Sequence, residues 1–421
     1  MAGEVKLVLC GVLCCLLSIG LYHHVNNINN NKCDMTYMFQ RPHYIEIDLP
    51  PEVKDNFPQY GVYAYGEGEY SIHLYKGQFN GIPVLFIPGN GGSHKQVRSL
   101  ASVAYRKSLE DDGPDFHFNF FTVDINGELG ALYGPVLQRQ TAFVTIAIRR
   151  ILQLYDEGGV GNSGSGGVGN SGNDGNGDGN SGNGDGNSGN ESSGNGNSGN
   201  DGSGDGNSGN DGSDNGNSGN ESSDNGNSGS ESNGNGNSGN KSNRNGNTVN
   251  GTRPVVKPDS VILIGHSMGG MVGRAVYTHR DNNGTITPTM VPLIITQATP
   301  HTRPVIVLDQ QLNDFYDKVN AYWIMERDYD LKDVVLVTVG GGRNDIQVPT
   351  TRANTPVADI STTTADVPYC WLTADHQAIV WCRQLVLATV RALFDVIDTN
   401  TNKLSTNRTR ILDVFNYHLV K

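Results

Sequence analysis

The stretch "LIGHSMGGMVGRAVY" (Leu263–Tyr277) surrounds one serine with glycines, at the junction of two different sequence patterns. The branched apolar run before it predicts a buried strand, and the stretch that begins at Met268 predicts a helix. Gly265–Gly269 is therefore a G-x-S-x-G pattern between a strand and a helix, the setting that a nucleophile elbow requires. An ordinary glycine-rich turn is the alternative interpretation. We predict that Ser267 is a nucleophile in a strained turn, facing the amino end of the helix.

The rest of the chain alternates short apolar runs with longer amphipathic stretches. The predicted strands are Ile82–Gly89, Phe116–Ile125, Ser260–Gly265, Val291–Pro300 and Val334–Gly342, and the predicted helices are Gly134–Tyr155, the stretch from Met268, and His376–Asp398. Apolar runs without alternation indicate strands that are covered on both faces, and regular α–β alternation indicates a mostly parallel sheet. Together with the elbow, this pattern predicts an α/β-hydrolase fold.

A serine nucleophile needs a base, and on this fold the acid and the histidine follow the serine in that order. His376 stands before the predicted last helix, late enough to follow an acid, so we predict that it is the base. A helix-capping or surface histidine is the alternative. His301 comes too early in the chain for this role, although it is a candidate for lining the pocket.

Asp345 is the predicted acid, because it follows a strand and a glycine-rich bend and so belongs at the carboxyl edge of the sheet. Asp375 and Asp333 are rivals. Adjacent residues rarely orient each other productively, which disfavours Asp375 beside His376, and Asp333 lies at the other end of its strand. A solvated loop carboxylate is the alternative interpretation of Asp345.

The tetrahedral intermediate of acyl transfer needs main-chain N–H donors. We predict that one is the N–H of Met268 and that the other comes from the loop "FIPGNGGSHKQ" after an early strand. The N–H of Asn90 is our choice there, with Gly91 as its rival. A phosphate-binding loop is disfavoured because the G-x-x-x-x-G-K-[ST] spacing is missing. No zinc-site spacing such as C-x-x-C or H-E-x-x-H appears, and the chemistry predicted here needs no metal or organic cofactor.

A low-complexity tract divides the chain of 421 residues. Residues 158–250 are almost wholly Gly, Asn, Ser and Asp, too poor in apolar side chains to offset the entropy of ordering, so we predict a disordered insert. The tract carries −9 of the formal net charge of −13. The other residues together carry −4, and they include no basic stripe that would indicate nucleic-acid binding. The hydrolase domain is then predicted to comprise residues 33–157 and 251–421.

The amino-terminal segment, residues 1–24, contains an uncharged run from Leu7 to Tyr22. As a helix this run would extend roughly 24 Å, which predicts a short membrane anchor, with a cleaved signal peptide and a buried helix as the alternatives. Sequons at Asn283 and Asn407 favour a secretory location. Outside the apolar run the cysteines are Cys33, Cys370 and Cys382, which allow one disulfide whose pairing the sequence leaves open.

Several motifs across the folded part resemble one family. They are "NKCDMTYMFQRPHY", "VLFIPGNGGSHKQVRSLASVAYRK", "FHFNFFTVDINGELGALYG", "IGHSMGGMVGRA", "LIITQATPH", "DFYDKVNAYW" and "DHQAIVWCRQLVLATVRALFD". The chain resembles the GPI inositol-deacylases, lipases of the endoplasmic reticulum, from about Cys33 to His418, with a break at the insert. The elbow alone would suit any α/β-hydrolase, and the runs "PGNGGS", "GELGALYG" and "DHQAIVWC" make the resemblance specific.

The resemblance implies hydrolysis of the ester that joins an acyl chain to the inositol of a GPI anchor. Ser267 matches the nucleophile of the family, and Asp345 and His376 fall where its acid and base are expected. The implied partners are GPI-anchored proteins and membrane lipid, and the implied location is the endoplasmic reticulum membrane with a lumenal catalytic domain. Members of the family continue for hundreds of residues beyond this region, so we expect this chain to be a fragment, a short isoform or an incomplete gene model.

Two other functions remain open from the sequence. One is a general lipase or esterase that uses the same three residues on another lipid ester. The other is a catalytically inactive hydrolase fold that binds lipid or cargo, which the presence of Ser267, Asp345 and His376 disfavours.

Overall fold

An eight-stranded sheet is the centre of the computed structural model, which describes residues 10–22, 32–110, 113–157 and 257–421. Apolar strand sequences such as Ile82–Ile87 and Ile262–His266 are buried at every position, as expected for strands covered on both faces. In chain order the strands of this sheet are β1 (Pro42–Glu46), β2 (Gly61–Glu67), β3 (Ile82–Ile87), β4 (Phe118–Asp124), β5 (Ile262–His266), β8 (Leu293–Gln297), β9 (Val335–Gly340) and β10 (Ile360–Thr363). Two short hairpins lie outside it, β6 (Arg280–Asp281) with β7 (Gly284–Thr285) and β11 (Ile397–Asp398) with β12 (Lys403–Leu404).

The spatial order of the sheet is β1-β2-β4-β3-β5-β8-β9-β10. Strand β2 pairs antiparallel with β1 and β4, and every other pairing in this sheet is parallel. One reversed strand near the edge of an otherwise parallel sheet, with β3 and β4 exchanged in space, is the topology of the α/β-hydrolase fold. The predicted fold class is confirmed at this level.

Helices cover both faces of the sheet. The helical residues are α1 (10–22), α2 (Pro51–Asn56), α3 (Tyr70–Tyr75), α4 (Arg98–Ser108), α5 (Gly134–Glu157), α6 (Met268–Ala275), α7 (Gln310–Glu326), α8 (Thr350–Ala353), α9 (Arg383–Asp395) and α10 (Arg408–Leu419). Alternate residues of each central strand belong to different apolar clusters, so the two clusters lie on opposite faces. One contains buried residues of α4, α9 and α10, and the other contains those of α5, α6 and α7.

The predicted helix His376–Asp398 is shorter than expected and is not the last one. Regular α-helix begins only at Arg383, because the Asp375 carboxylate accepts the N–H groups of Gln377 and Ala378 and holds that segment in a turn. A hairpin and helix α10 then follow. The Asn407 side chain caps α10 by accepting the N–H of Arg410 at 3.2 Å.

The predicted insert, residues 158–250, lies outside the described residues. The described chain ends at Glu157 in α5 and resumes at Lys257 before β5, and Lys257 Nζ lies 2.8 Å from Asp156 Oδ1. Because α5 ends and β5 begins at the amino edge of the sheet, Glu157 and Lys257, the described residues on either side of the gap, lie away from the carboxyl ends of the strands.

Helix α1 consists of residues 10–22 of the predicted amino-terminal anchor, and these residues are exposed. Among the described residues, no helix has both the length and the apolar character needed to cross a bilayer.

Candidate active site

Ser267 occupies a sharp turn between β5 and α6. Its backbone angles are φ 52° and ψ −126°, a conformation that is costly for a residue with a Cβ atom, by roughly 1–3 kcal/mol. Two main-chain hydrogen bonds hold the turn: the N–H of Ser267 donates to Gln297 O at 2.8 Å, and the N–H of Gly270 donates to Ser267 O at 3.1 Å. The surrounding strands therefore impose the conformation, and the hydroxyl stands at the carboxyl edge of the sheet.

The two glycines of the motif are required by close backbone contacts. A Cβ atom at Gly265 would lie 2.6 Å from Gly270 Cα, and a Cβ atom at Gly269 would lie 2.2 Å from Ile87 O. Both distances are well inside van der Waals contact, and neither neighbouring atom belongs to a movable side chain. The glycines let helix α6 pack directly against β3 and β5, which places the serine at the start of the helix.

The structure brings the three predicted residues Ser267, His376 and Asp345 into one hydrogen-bonded chain. His376 Nε2 lies 2.9 Å from Ser267 Oγ, and His376 Nδ1 lies 3.0 Å from Asp345 Oδ2. All three residues are buried. Because a carboxylate can only accept, Nδ1 carries the proton of the imidazole, and Nε2 is left to accept the Ser267 hydroxyl proton.

The Asp345 carboxylate is fixed by its own loop. Its Oδ1 atom accepts main-chain N–H groups from Gln347 at 3.1 Å and Val348 at 2.8 Å, so Oδ2 remains for His376. Of the rival acids, Asp375 caps the turn that follows it, and Asp333 is an exposed residue before β9, at the amino edge of the sheet.

His301 has a different environment from His376. Its Nδ1 atom lies 3.2 Å from Arg274 Nη1, and its Nε2 atom lies 2.9 Å from Thr296 Oγ1. Because Thr296 and Ile294 lie on the same side of β8, His301 belongs to the face of the sheet that α6 covers. Burial, followed by the charge of Arg274, lowers the pKa of His301 well below its ordinary value. It is a neutral core residue rather than a member of the chain that ends at Ser267.

The loop that holds the predicted second oxyanion donor lies against the serine. A Cβ atom at Gly89 would be 2.6 Å from Ser267 Cβ, which measures how closely this loop approaches. The Gly91 N–H donates to Glu128 O at 3.0 Å, so the rival donor is already occupied. Asn90 directs its side-chain Oδ1 to the N–H of Ala131 at 2.8 Å, which joins this loop to the one after β4.

The N–H groups of Met268 and Asn90 remain available in the part of the chain that the structure describes. Met268 is the first residue of α6, so its N–H lies ahead of the first hydrogen bond inside the helix. No hydrogen bond from either N–H to a protein acceptor is found among the described residues. The arrangement agrees with the predicted donor pair, whose role stays a prediction.

Sequence reasoning missed one residue beside the predicted base. His266, the variable residue before the serine in G-x-S-x-G, is buried, and its Nε2 atom lies 2.9 Å from the main-chain oxygen of His376. Burial, and then the nearby His376, lower the pKa of His266 to about 3. The only signal in the sequence was a histidine at the end of a buried strand, where a branched apolar residue is more common.

A disulfide lies near the same edge of the sheet. Cys33 is bonded to Cys382, which immediately precedes α9, and Met35 forms a β-bridge with Cys382. Cys370 is a buried free thiol, and burial raises its pKa to about 11. The pairing that the sequence left open is thereby assigned. Within the described ranges no group of three or more His, Cys, Asp or Glu residues is arranged to hold a metal ion.

Comparison with known proteins gives one family. The family model of the PGAP1-like alpha/beta domain matches residues 78–169 and 252–396. A GPI inositol-deacylase of Xenopus laevis is 34% identical over 417 residues, which cover 97% of this chain and 34% of that protein. The GPI inositol-deacylase of Rattus norvegicus is 33% identical, with 96% and 33% covered, and that of Drosophila melanogaster is 26% identical, with 96% and 34% covered. This chain spans about a third of the length of these curated relatives.

Among solved structures, esterase B from Lactobacillus rhamnosis is similar with a TM-score of 0.39 and 12% identity, covering 94% of this chain and 97% of that one.

Proposed function

Because this chain belongs to the family of the PGAP1-like alpha/beta domain, we propose that it is a serine hydrolase that removes the acyl chain ester-linked to the inositol of GPI anchors. The observation that carries this proposal is the continuous hydrogen-bonded chain from Asp345 through His376 to Ser267. The substrate class is supported by the relatives of Xenopus laevis, Rattus norvegicus and Drosophila melanogaster, all named GPI inositol-deacylase.

Acylation begins with proton transfer from Ser267 to His376. The separation of 2.9 Å between Oγ and Nε2 is within the range for direct transfer, so the hydroxyl oxygen becomes nucleophilic as it attacks the acyl carbonyl. His376 then carries a positive charge, which the Asp345 carboxylate at 3.0 Å stabilises without taking the proton itself.

The negative charge that develops on the carbonyl oxygen needs donors on the opposite side. The Met268 and Asn90 N–H groups supply them, and the positive end of the α6 dipole adds to the effect. The imidazolium of His376 next protonates the inositol oxygen, which leaves. A water molecule then gives a proton to His376 and attacks the acyl-enzyme. His376 returns that proton to Ser267 Oγ as the fatty acid leaves, which restores the hydroxyl.

We place the catalytic domain on the lumenal side of the endoplasmic reticulum membrane. The Cys33–Cys382 disulfide supports this location, because such bonds persist in oxidising compartments. Asn283 and Asn407, the two sequons outside the low-complexity tract, are both exposed. The uncharged run of residues 7–22 would serve as the membrane anchor, and the GPI-anchored protein would be the partner that carries the substrate.

The decisive assay uses the purified chain of 421 residues and an inositol-acylated GPI. We expect fatty-acid release that Ser267→Ala reduces at least about 10³-fold. Ser361→Ala, a change at an exposed serine of β10, is the control and should retain the full rate.

Two outcomes of that assay would replace the proposal. Cleavage of simple acyl esters without cleavage of the inositol ester would favour a general lipase or esterase. Binding of the acylated GPI by the wild-type chain without any release of fatty acid would favour a binding protein on a hydrolase fold.

A further inference from the structure

His266 forms a direct link between the nucleophile and the base. It is covalently adjacent to Ser267, and its Nε2 atom lies 2.9 Å from the main-chain oxygen of His376. The His376 ring returns to Ser267 Oγ, also at 2.9 Å. The covalent link from His266 to Ser267 and these two hydrogen bonds therefore form a closed ring. The ring contains Ser267 Oγ and His376 Nε2, the two atoms between which the proton moves.

The hydrogen bond requires a proton on one particular nitrogen of His266. A carbonyl oxygen can only accept, so Nε2 carries the hydrogen and donates it. Nδ1 is buried and has no hydrogen-bond partner among the described residues. Burial lowers the pKa of His266 to about 3, so the ring is neutral at neutral pH. A neutral donor at this place holds the base without opposing the positive charge that His376 acquires.

The loop that carries His376 consists of turns and one 3₁₀ turn, without regular α-helix or strand. It connects β10 to α9 and includes Tyr369 at φ 63° and Trp371 at φ 45°, two exposed non-glycine residues in the left-handed region. On the amino side of His376 the loop is tied down by the Ala374 N–H, which donates to Gly341 O at 2.8 Å. The bond from His266 ties the loop at the carbonyl of the histidine itself.

We propose that His266 is a positioning residue, whose Nε2–H holds the His376 carbonyl so that the His376 ring stays within proton-transfer distance of Ser267. This inference rests on the proposed acyl transfer at Ser267. His266 itself does not contact the substrate, because it is buried behind the serine at the end of β5. Loss of the bond should therefore slow proton transfer and leave substrate binding intact.

The test compares three substitutions in the full chain. His266→Gln keeps an amide N–H₂ near the position of Nε2. In His266→Asn the amide nitrogen lies near the position of Nδ1 and cannot reach the carbonyl. His266→Met has a similar volume and no donor. We expect the Asn and Met variants to lower kcat about 10- to 100-fold with KM within about twofold, as for lost supporting hydrogen bonds, and Gln to restore kcat to within about threefold.

His301→Gln is the matched control, because His301 is equally buried and bonds to Arg274 and Thr296 instead of His376. Its kcat should stay at the wild-type value even if its melting temperature falls. Equal kcat values in the Gln and Asn variants of His266 would overturn the inference. The comparison of these two variants tests the inference even if the Met variant does not fold.

A second readout separates this inference from the proposed function. An alkyl fluorophosphonate phosphonylates an activated serine whatever the natural substrate, and its reaction rate should fall in parallel with kcat. Failure of the wild-type chain to be labelled at Ser267 would count against the proposed function. A labelled wild type with equally rapid labelling of His266→Asn would count against the positioning role alone.

Discussion

At the scale of single residues, the tautomer of His376 decides whether the hydrogen-bonded chain can work. Asp345 imposes the Nδ1–H form, because both of its oxygens act as acceptors, one toward His376 and one toward two main-chain N–H groups. Asp345 could be predicted as the acid from the sequence, because a strand and a glycine-rich bend precede it. The two N–H groups that orient the carboxylate could not be foreseen, because they depend on the exact turn after Asp345.

We predict that Asp345→Asn lowers kcat by about 10³- to 10⁴-fold with little loss of stability. The amide oxygen would keep the bonds from Gln347 and Val348, so the amide nitrogen would face His376 Nδ1. That geometry favours the opposite tautomer, whose Nε2–H cannot accept the serine proton. Steady-state hydrolysis measures the effect.

Asp375→Asn is the control for that experiment. Its amide oxygen can still accept the N–H groups of Gln377 and Ala378, so kcat should stay within about threefold of wild type. If Asp375→Asn lowered kcat as much as Asp345→Asn does, Asp375 would share the role of the acid.

At the scale of secondary-structure elements, the elbow depends on how closely α6 approaches the sheet. The five central strands were predictable because each is an apolar run buried on both faces. Strands β1, β2 and β10, at or next to the edges of the sheet, were missed. The β10 sequence "ISTT" has no continuous apolar run. The loop before α9 was predicted as helix because Ala378–Val380 is apolar, but these residues are buried as a single 3₁₀ turn.

Two alanine substitutions on α6 should distinguish two effects on stability: close contact between the helix and the sheet backbone, and helix propensity. In Gly269→Ala the new Cβ would lie 2.2 Å from Ile87 O, so the backbone must shift. We expect a loss of about 2 kcal/mol or more in the free energy of unfolding, because an overpacked site must shift its backbone, together with near-complete loss of hydrolysis.

Gly273→Ala is the matched change one turn later. The nearest atom to its Cβ is Ile87 Cδ1 at 3.5 Å, an ordinary contact, and alanine is the better helix former. The free energy of unfolding should stay equal or rise by up to about 1 kcal/mol. Chemical denaturation of both variants checks the pair, and equal destabilisation would contradict the steric argument.

At the scale of the whole molecule, two buried neutral histidines make stability depend on pH. The pKa of His266 is about 3 in the folded protein, far below its ordinary value, and that of His301 is lowered in the same direction. Below about pH 6.5 the unfolded chain binds protons at these residues and the native chain does not. The free energy of unfolding should therefore fall with falling pH, by up to about 1.4 kcal/mol per pH unit for each histidine.

Chemical denaturation at several pH values between 7.5 and 5 measures that slope. His266→Gln removes one of the two titrating groups and should reduce the slope by about half of their joint contribution. His73→Gln, at an exposed position, should leave it unchanged. A wild-type stability that does not vary over this interval would contradict the prediction.

The Cys33–Cys382 disulfide also acts on the whole molecule, since it joins the start of the folded domain to the residue before α9, 349 positions later. Either Cys33→Ser or reduction by a dithiol should lower the free energy of unfolding by roughly 2–5 kcal/mol, mainly because the unfolded chain gains freedom. The reductant should have no further effect on Cys33→Ser. Chemical denaturation with and without reductant tests both statements. If reduction left the free energy of unfolding of the wild type unchanged, the prediction would be refuted.

The sequence by itself determined the fold class and the three residues that meet at the carboxyl edge of the sheet. Burial on both faces produces apolar runs, and the tight strand–helix turn requires glycines, so both leave local marks in the chain. Only the tertiary structure decided the pairing of Cys33 with Cys382 and the link from His266 to the His376 carbonyl. These contacts join residues 349 and 110 positions apart, and their geometry arises from packing that no local sequence pattern encodes.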